Sequence, residues 1–170
     1  MVQNEFWSEQ VKTFWLYGLS GAGKSTLADL LIAEDPDFKR IFRVDGDNLR
    51  AGLCSDLGYD EYDRAENIRR ASEVAKLINN KSHVIASFMT PTIFHQELVR
   101  SILGDNLKLV YIDTDIEECM KRDPKGLYKK YNKGEIRNLS GVDAPFDINI
   151  KNDLIINTTK HSIKECVRKL

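Results

Sequence analysis

Apolar residues in this chain fall into two alternating patterns. Short, nearly continuous apolar runs occur at residues 13–17, 41–44, 83–88, 107–112 and 153–157. Runs of this length, with little polar alternation, suit strands buried on both faces of a parallel sheet. Between them the spacing turns helical. The first βα unit spans 13–34, with its helix over 26–33, and Asp35-Pro36-Asp37 breaks it. One helical turn is expected over 49–53. Residues 61–80 carry Ile68, Ala71, Val74, Ala75 and Ile78 on one face of a long helix. Pro91 opens a helix over 92–103. A short helix over 115–121 has Asp113 or Thr114 as its cap, and a closing helix covers 161–170. Strands alternating with helices predict an α/β three-layer fold with a five-stranded parallel sheet. With no repeat and no linker, residues 1–170 form a single domain. Phe6, Trp7 and Val11 suit packing against the body, an extension with exposed aromatics being the other reading.

Periodicity stops between residues 123 and 149. That segment holds four Lys, one Arg, three Gly and two Pro, a composition without an apolar face. Long aperiodic segments in compact domains are usually functional. A lid is the expectation, and a plain surface excursion is the alternative.

Composition narrows the class. The chain has 170 residues, 42% hydrophobic and 30% charged, with a net charge of −1. It is globular, and it lacks the basic surplus that a nucleic-acid polymer or an anionic membrane would call for. A small anionic partner remains compatible, because a few local arginines can hold it. Cys54, Cys119 and Cys166 are few and widely spaced, with no metal-ligand spacing, so they read as reduced structural thiols. No signal pattern and no long apolar run is present, so a cytoplasmic location is expected.

The chemistry concentrates after the first strand. Gly18-Leu19-Ser20-Gly21-Ala22-Gly23-Lys24-Ser25 fits the P-loop pattern G-x-x-x-x-G-K-[ST], flanked by a strand and a helix. Backbone N–H groups of such a turn surround phosphate oxygens, and the helix N-terminus adds its dipole. Lys24 is expected to bridge the β- and γ-phosphates, and the Ser25 hydroxyl to ligate Mg²⁺. Asp45 and Asp47 follow the second strand, at the carboxyl edge where open parallel sheets bind ligands. A carboxylate there can take a proton from an attacking hydroxyl or hold a metal-bound water. The string Asp45-Gly46-Asp47-Asn48 equally suits a helix cap. Arg50, Arg64, Arg69 and Arg70 offer forks for phosphate or sulfate oxygens, with one of the Arg69–Arg70 pair expected on a solvated face. Tyr59 can stack on a base or serve in packing. A guanine-specific switch needs an N/T-K-x-D string. The nearest, Asn149-Ile150-Lys151-Asn152-Asp153, is out of register, which sets that class aside.

The P-loop through Thr26 resembles that of adenylylsulfate (APS) kinases. So do Asp45-Gly46-Asp47-Asn48-Leu49-Arg50 and Asp63-Arg64-Ala65-Glu66-Asn67-Ile68-Arg69-Arg70. Ala86-Ser87-Phe88 with Pro91, Arg122-Asp123-Pro124-Lys125-Gly126-Leu127-Tyr128 and Gly141-Val142-Asp143-Ala144-Pro145-Phe146 extend the likeness from Phe14 to the last helix. The resemblance implies a P-loop kinase fold and transfer of the γ-phosphoryl of ATP to the ribose 3′-hydroxyl of APS. By it, Gly18, Ser20, Gly21, Ala22, Gly23, Lys24, Ser25 and Thr26 bind ATP and Mg²⁺, with Arg122 near the ATP base. Asp45 is the base or acceptor-orienting carboxylate, supported by Asp47. Arg50, Arg64 and Asn67 hold the acceptor, joined by Ser87 and Phe88, while Tyr59 stands where the family has a stacking Phe. Lys125 belongs to the lid, and a homodimer is implied.

Two departures stand out. The family continues S-P-Y-R-x-x-R, whereas this chain has Thr90-Pro91-Thr92-Ile93-Phe94-His95-Gln96. Thr90 is expected in a surface or capping place. In the lid, Leu139 occupies a position where the family carries an aromatic. A base–aromatic stack is worth about 1–3 kcal/mol, so the acceptor base need not be adenine. A relative in this family phosphorylates cytidine diphosphoramidate for capsule polysaccharide phosphoramidate, and the resemblance admits that acceptor as the alternative to APS.

Overall fold

The computed structural model of the chain describes residues 12–34 and 41–170. The expected packing of Phe6, Trp7 and Val11 and the break at Asp35-Pro36-Asp37 lie outside them. Five strands, β1 (Thr13–Tyr17), β2 (Ile41–Asp45), β3 (His83–Phe88), β4 (Leu107–Asp113) and β5 (Leu154–Asn157), form one parallel sheet in the order β2-β3-β1-β4-β5. β1 sits at the centre and is buried at every position. Its side chains alternate faces, as the pleat requires. Phe14 and Leu16 join an apolar cluster with Leu27, Leu31 and Ile156. Trp15 and Tyr17 join another with Ala71, Ala75 and Val99. These clusters glue helices to both faces, which makes the three layers.

The helices are α1 (Lys24–Glu34), α2 (Gly46–Arg50), α3 (Glu61–Ile78), α4 (Ile93–Leu103), α5 (Ile116–Arg122), α6 (Leu127–Asn132) and α7 (Ile163–Val167). Caps set several starts. The Asp60 carboxylate accepts from the Asp63 N–H at 2.8 Å, and Thr92 caps α4. Ser162 and Glu165 form a reciprocal capping box at α7. α7 is shorter than the expected 161–170, and Leu170 beyond it is fully buried.

Three expectations shift. The turn expected at 49–53 begins earlier, as α2, because Asp45 caps it through the Asp47 N–H. The cap of α5 is Asp115. The side chains expected there find tertiary partners instead: Thr114 Oγ1 donates to the Ala22 carbonyl and meets Thr158, while Asp113 accepts from Asn157. The segment read as aperiodic contains α6, too short to announce itself by periodicity. The Asp123 carboxylate accepts from the N–H groups of Tyr128 and Lys129 and nucleates it.

Thr90 is neither on the surface nor a cap. It is 1% exposed, and its hydroxyl accepts from the indole N–H of Trp15 at 2.8 Å. Its φ of 48° lies in a region that a β-branched residue adopts only under strain. Replacement Thr90→Val keeps the shape but leaves a buried indole donor unpaired. The expected loss is about 1–3 kcal/mol, read as a lower midpoint in urea unfolding.

Candidate active site

The site lies at the carboxyl edge of the sheet, where β1, β2, β3 and β4 all end. A cleft of about 1020 Å³ opens there. Ligand pockets commonly span about 300–1,000 Å³, so this one has room for two sizeable partners side by side.

The turn between β1 and α1 forms one wall. Gly21 has a φ of 80°, and a Cβ there would lie 2.8 Å from the carbonyl oxygen of Cys119. Only glycine meets both demands. Lys24, at the first position of α1, donates to the carbonyls of Gly18 and Leu19 at 2.8 and 2.7 Å. Burial and the nearby Lys125 ammonium push Lys24 down to about 8, against the opposing pull of Cys119, Asp47 and Asp45. A buried ammonium of this kind wants an anion. The Ser20 hydroxyl is buried without a hydrogen-bond partner. A glycine-rich cradle, an under-compensated ammonium and an orphan hydroxyl together fit a polyphosphate.

Across from that turn, Asp45 ends β2 and is 7% exposed. Its Oδ1 accepts from the Asp47 N–H at 3.0 Å. Its Oδ2 accepts from Arg43 at 2.9 Å and from the Ser25 hydroxyl at 3.3 Å. Burial pushes the carboxyl up, but the Arg43 guanidinium and the Asp47 and Asn48 N–H groups outweigh it, and the carboxyl stays below its ordinary value. Asp45 is therefore both a cap and a cleft-facing carboxylate, and the two readings of its motif are compatible. Ser25 and Asp45 present hard oxygen donors side by side, a set that fits Mg²⁺. That ion commonly takes one or two protein oxygens and completes its shell with phosphates and water. Among the described residues no group of three or more His, Cys, Asp or Glu side chains is placed to hold a metal.

The other end of the cleft is basic. The Arg50 guanidinium lies 4.4 Å from the Tyr59 ring centroid and donates to the carbonyls of Leu57 and Gly58. Arg64 donates to the Tyr59 carbonyl at 2.7 Å, and burial pulls its pKa down. Tyr59 itself is 66% exposed, so it is not a packing residue. Asn67 and Ser87 also line the cleft, each with a buried oxygen lacking a partner. Phe88 is fixed there by stacking on Trp15 at 4.6 Å between centroids. From segment 123–149, Pro124, Lys125, Leu127 and residues 136–139 line the cleft. Tyr128 donates to the Ser20 carbonyl at 2.9 Å, Gly141 packs on Leu19, and Lys125 pairs with Asp47. Arg122 reaches the carbonyl of Gly21 at 3.4 Å and Thr158 at 3.2 Å.

The structure thus brings together Lys24, Ser25, Thr26, Asp45, Asp47, Arg50, Tyr59, Arg64, Asn67, Ser87, Phe88, Arg122, Lys125 and Leu139, with Ser20, Gly21 and Gly23. Gly18 and Ala22 do not line the cleft. Gly18 packs on Ile112, and Ala22 belongs to the core. Arg69 and Arg70 also stay outside. They clasp Glu66, and Arg70 ties Asp56, holding the turn after α2 against α3. Leu139 is 5% exposed and shares the core cluster of Leu19 and Ile112. Arg137 and Asn138 line the cleft without having been singled out in the sequence. Asn138 has a φ of 58°, which asparagine tolerates well.

Comparison with known proteins settles the family. The family model of adenylylsulphate kinase matches residues 10–157. The chain belongs to the adenylylsulphate kinase family. An adenylyl-sulfate kinase of Clostridium acetobutylicum is 46% identical over 155 residues, covering 90% of this chain and 78% of that protein. One from Bacteroides thetaiotaomicron is 44% identical over 159 residues, covering 92% and 79%. The Mycobacterium tuberculosis APS kinase CysC, solved in complex with AMPPNP and APS, superposes with a TM-score of 0.89 at 38% identity over 95% of this chain and 96% of that one. As a member of this family, the chain carries its P-loop kinase fold. No helix among the described residues is long and apolar enough to cross a membrane.

Lys24→Ala is expected to lower turnover by ~100-fold or more, because charge stabilisation at transferring phosphates is among the larger catalytic contributions. The melting temperature should hold, since burial disfavours the ammonium that the substitution removes. Steady-state kinetics paired with a thermal melt checks both.

Proposed function

We propose that this chain is an ATP-dependent kinase that phosphorylates the ribose 3′-hydroxyl of adenylylsulfate or a close structural relative of it. One observation carries the reading: a phosphate cradle and a basic, stacking-capable pocket open into one cleft, with Asp45 between them. In this reading the P-loop residues bind ATP, and Lys24 neutralises the β- and γ-phosphates. Ser25 ligates Mg²⁺, which when bound spreads the charge developing on the transferred phosphoryl group. Asp45 orients the 3′-hydroxyl and accepts its proton, and Asp47 supports it. Arg50, Arg64 and Asn67 hold the 5′ anion and ribose. Tyr59 stacks on the base, while Ser87 and Phe88 bound the acceptor's other side. Arg122 flanks the ATP base. Segment 123–149, carrying Lys125, is the lid of a single kinase domain, and it excludes water during transfer. A cytoplasmic homodimer goes with this reading. The APS kinase from Thiobacillus denitrificans, 26% identical, is hexameric, so an assembly larger than a dimer occurs in a relative.

APS is the first acceptor, supported by the relatives' names and by the M. tuberculosis structure. A specific observation favours a second. Leu139, at the lid position of the family's aromatic, offers the base no ring. Weaker stacking suits a pyrimidine, and cytidine diphosphoramidate carries a mixed anhydride similar in shape and charge to that of APS.

Purified protein with MgATP, offered each acceptor separately, decides between them. A kcat/KM for APS higher by orders of magnitude is expected for a sulfate-activating enzyme. The reverse order assigns the cytidine nucleotide, and turnover of neither removes both. If the absent ring limits adenine binding, Leu139→Phe should improve kcat/KM for APS by about ten-fold, the lower part of what one stack is worth. Unchanged kinetics in a correctly folded variant would count against that explanation.

A further inference from the structure

Arg43 lies on β2, the edge strand next to the cleft, and no P-loop or acceptor motif contains it. Residues 43 and 45 are two apart on one strand, so their side chains share a face. On α1, Ser25 and Asp29 are four apart and share a side. The two pairs interlock. Asp29 binds one arm of the Arg43 guanidinium, the other arm donates to Asp45 Oδ2 at 2.9 Å, and the Ser25 hydroxyl donates to the same oxygen at 3.3 Å. The result is a polar ladder, Asp29–Arg43–Asp45–Ser25, running from the surface to the P-loop. Exposure falls along it: the side chains of Asp29, Arg43 and Asp45 are 60%, 26% and 9% exposed.

Asp45 needs such a brace. An aspartate has two side-chain torsions, and the Asp47 N–H fixes only Oδ1. The Ser25 contact is long for a hydroxyl donor, and in the proposed reaction that hydroxyl serves the metal. Among the described residues Arg43 therefore supplies the one charged contact to Oδ2. Asp29 ties the other arm of the guanidinium to α1.

We infer that Arg43 is a positioning residue for phosphoryl transfer, holding the Asp45 carboxylate at a fixed angle to the P-loop while itself anchored on α1 by Asp29. The inference rests on the role proposed for Asp45. Small misplacements of a reacting group are costly, up to ~100-fold for about 1 Å. A positioning residue should then show itself in kcat rather than in substrate affinity.

The test uses the full chain with MgATP and the better of the two acceptors above. Arg43→Met should lower kcat by ~10–100-fold, with both KM values and the calorimetric affinity for a non-hydrolysable ATP analogue within about two-fold of the parent. Arg43→Lys keeps one charged donor and should recover most of the loss. Asp29→Asn, at an exposed position, should lower kcat by only a few-fold, and it keeps the inference testable if Arg43→Met does not fold. In an Asp45→Asn background, Arg43→Met should have little further effect, because the group it positions is already gone. Unchanged kcat in Arg43→Met, a loss confined to KM, or full additivity with Asp45→Asn would overturn the inference. If Asp45→Asn is inactive while Arg43→Met behaves as the parent, only the inference fails. If Asp45→Asn turns over normally, the role of Asp45 fails and the inference falls with it.

Discussion

The turn after β1 must come closer to the backbone of α5 than a side chain permits, and much of the site depends on that approach. At Gly21 a Cβ would meet the Cys119 carbonyl at 2.8 Å. Packed this closely, the turn shares its neighbours' rigidity. Thr114, just past β4, donates to the Ala22 carbonyl, and Thr158, just past β5, lies 2.6 Å from the Thr114 hydroxyl and backs it. Tyr128 and Arg122 reach the carbonyls of Ser20 and Gly21. These bonds occupy the turn's acceptors from behind and from the side. A phosphate cradle so preorganised costs little to order when its ligand arrives.

The rest of the site divides by charge. Near the turn, one buried ammonium faces carboxylates that are themselves held by cations: Asp45 by Arg43 and Asp47 by Lys125. At the far end Arg50 and Arg64 donate to backbone carbonyls, and among the described residues their charge has no carboxylate partner. A cleft with that gradient attracts an anion at each end and leaves a carboxylate between them. Those are the electrostatic needs of moving a phosphoryl group from one anionic nucleotide to another.

The inner strands β1, β3 and β4 were legible from local pattern because each is apolar over nearly its whole length, as a parallel strand buried on both faces must be. The long helix α3 was legible for a related reason: its buried face repeats enough times to establish a period. The elements that were misplaced or missed, α2, the cap of α5 and α6, are all short. In helices of five to seven residues, one side-chain bond outweighs any periodic signal. Asp45 starts α2 and Asp123 starts α6 through bonds to backbone N–H groups, while Asp113 and Thr114 were drawn away from α5 by partners remote in sequence.

The sequence by itself determined the phosphate turn, the alternation of strands and helices, and so which ends of the strands would carry the chemistry, because these follow from local sterics and from burial along a contiguous stretch. Only the tertiary structure decided how neighbours within one motif divide their work. In Asp63-Arg64-Ala65-Glu66-Asn67-Ile68-Arg69-Arg70, Arg64 and Asn67 face the cleft, while Glu66, Arg69 and Arg70 form an ion cluster outside it. Helical rotation separates them, but which side meets the cleft depends on how α3 lies on the sheet. Thr90 became a buried acceptor for Trp15, and Asp29 on α1 became the anchor of Arg43, for the same reason. Each of these bonds joins side chains whose approach is set by how strands and helices pack, which no local stretch of the chain contains.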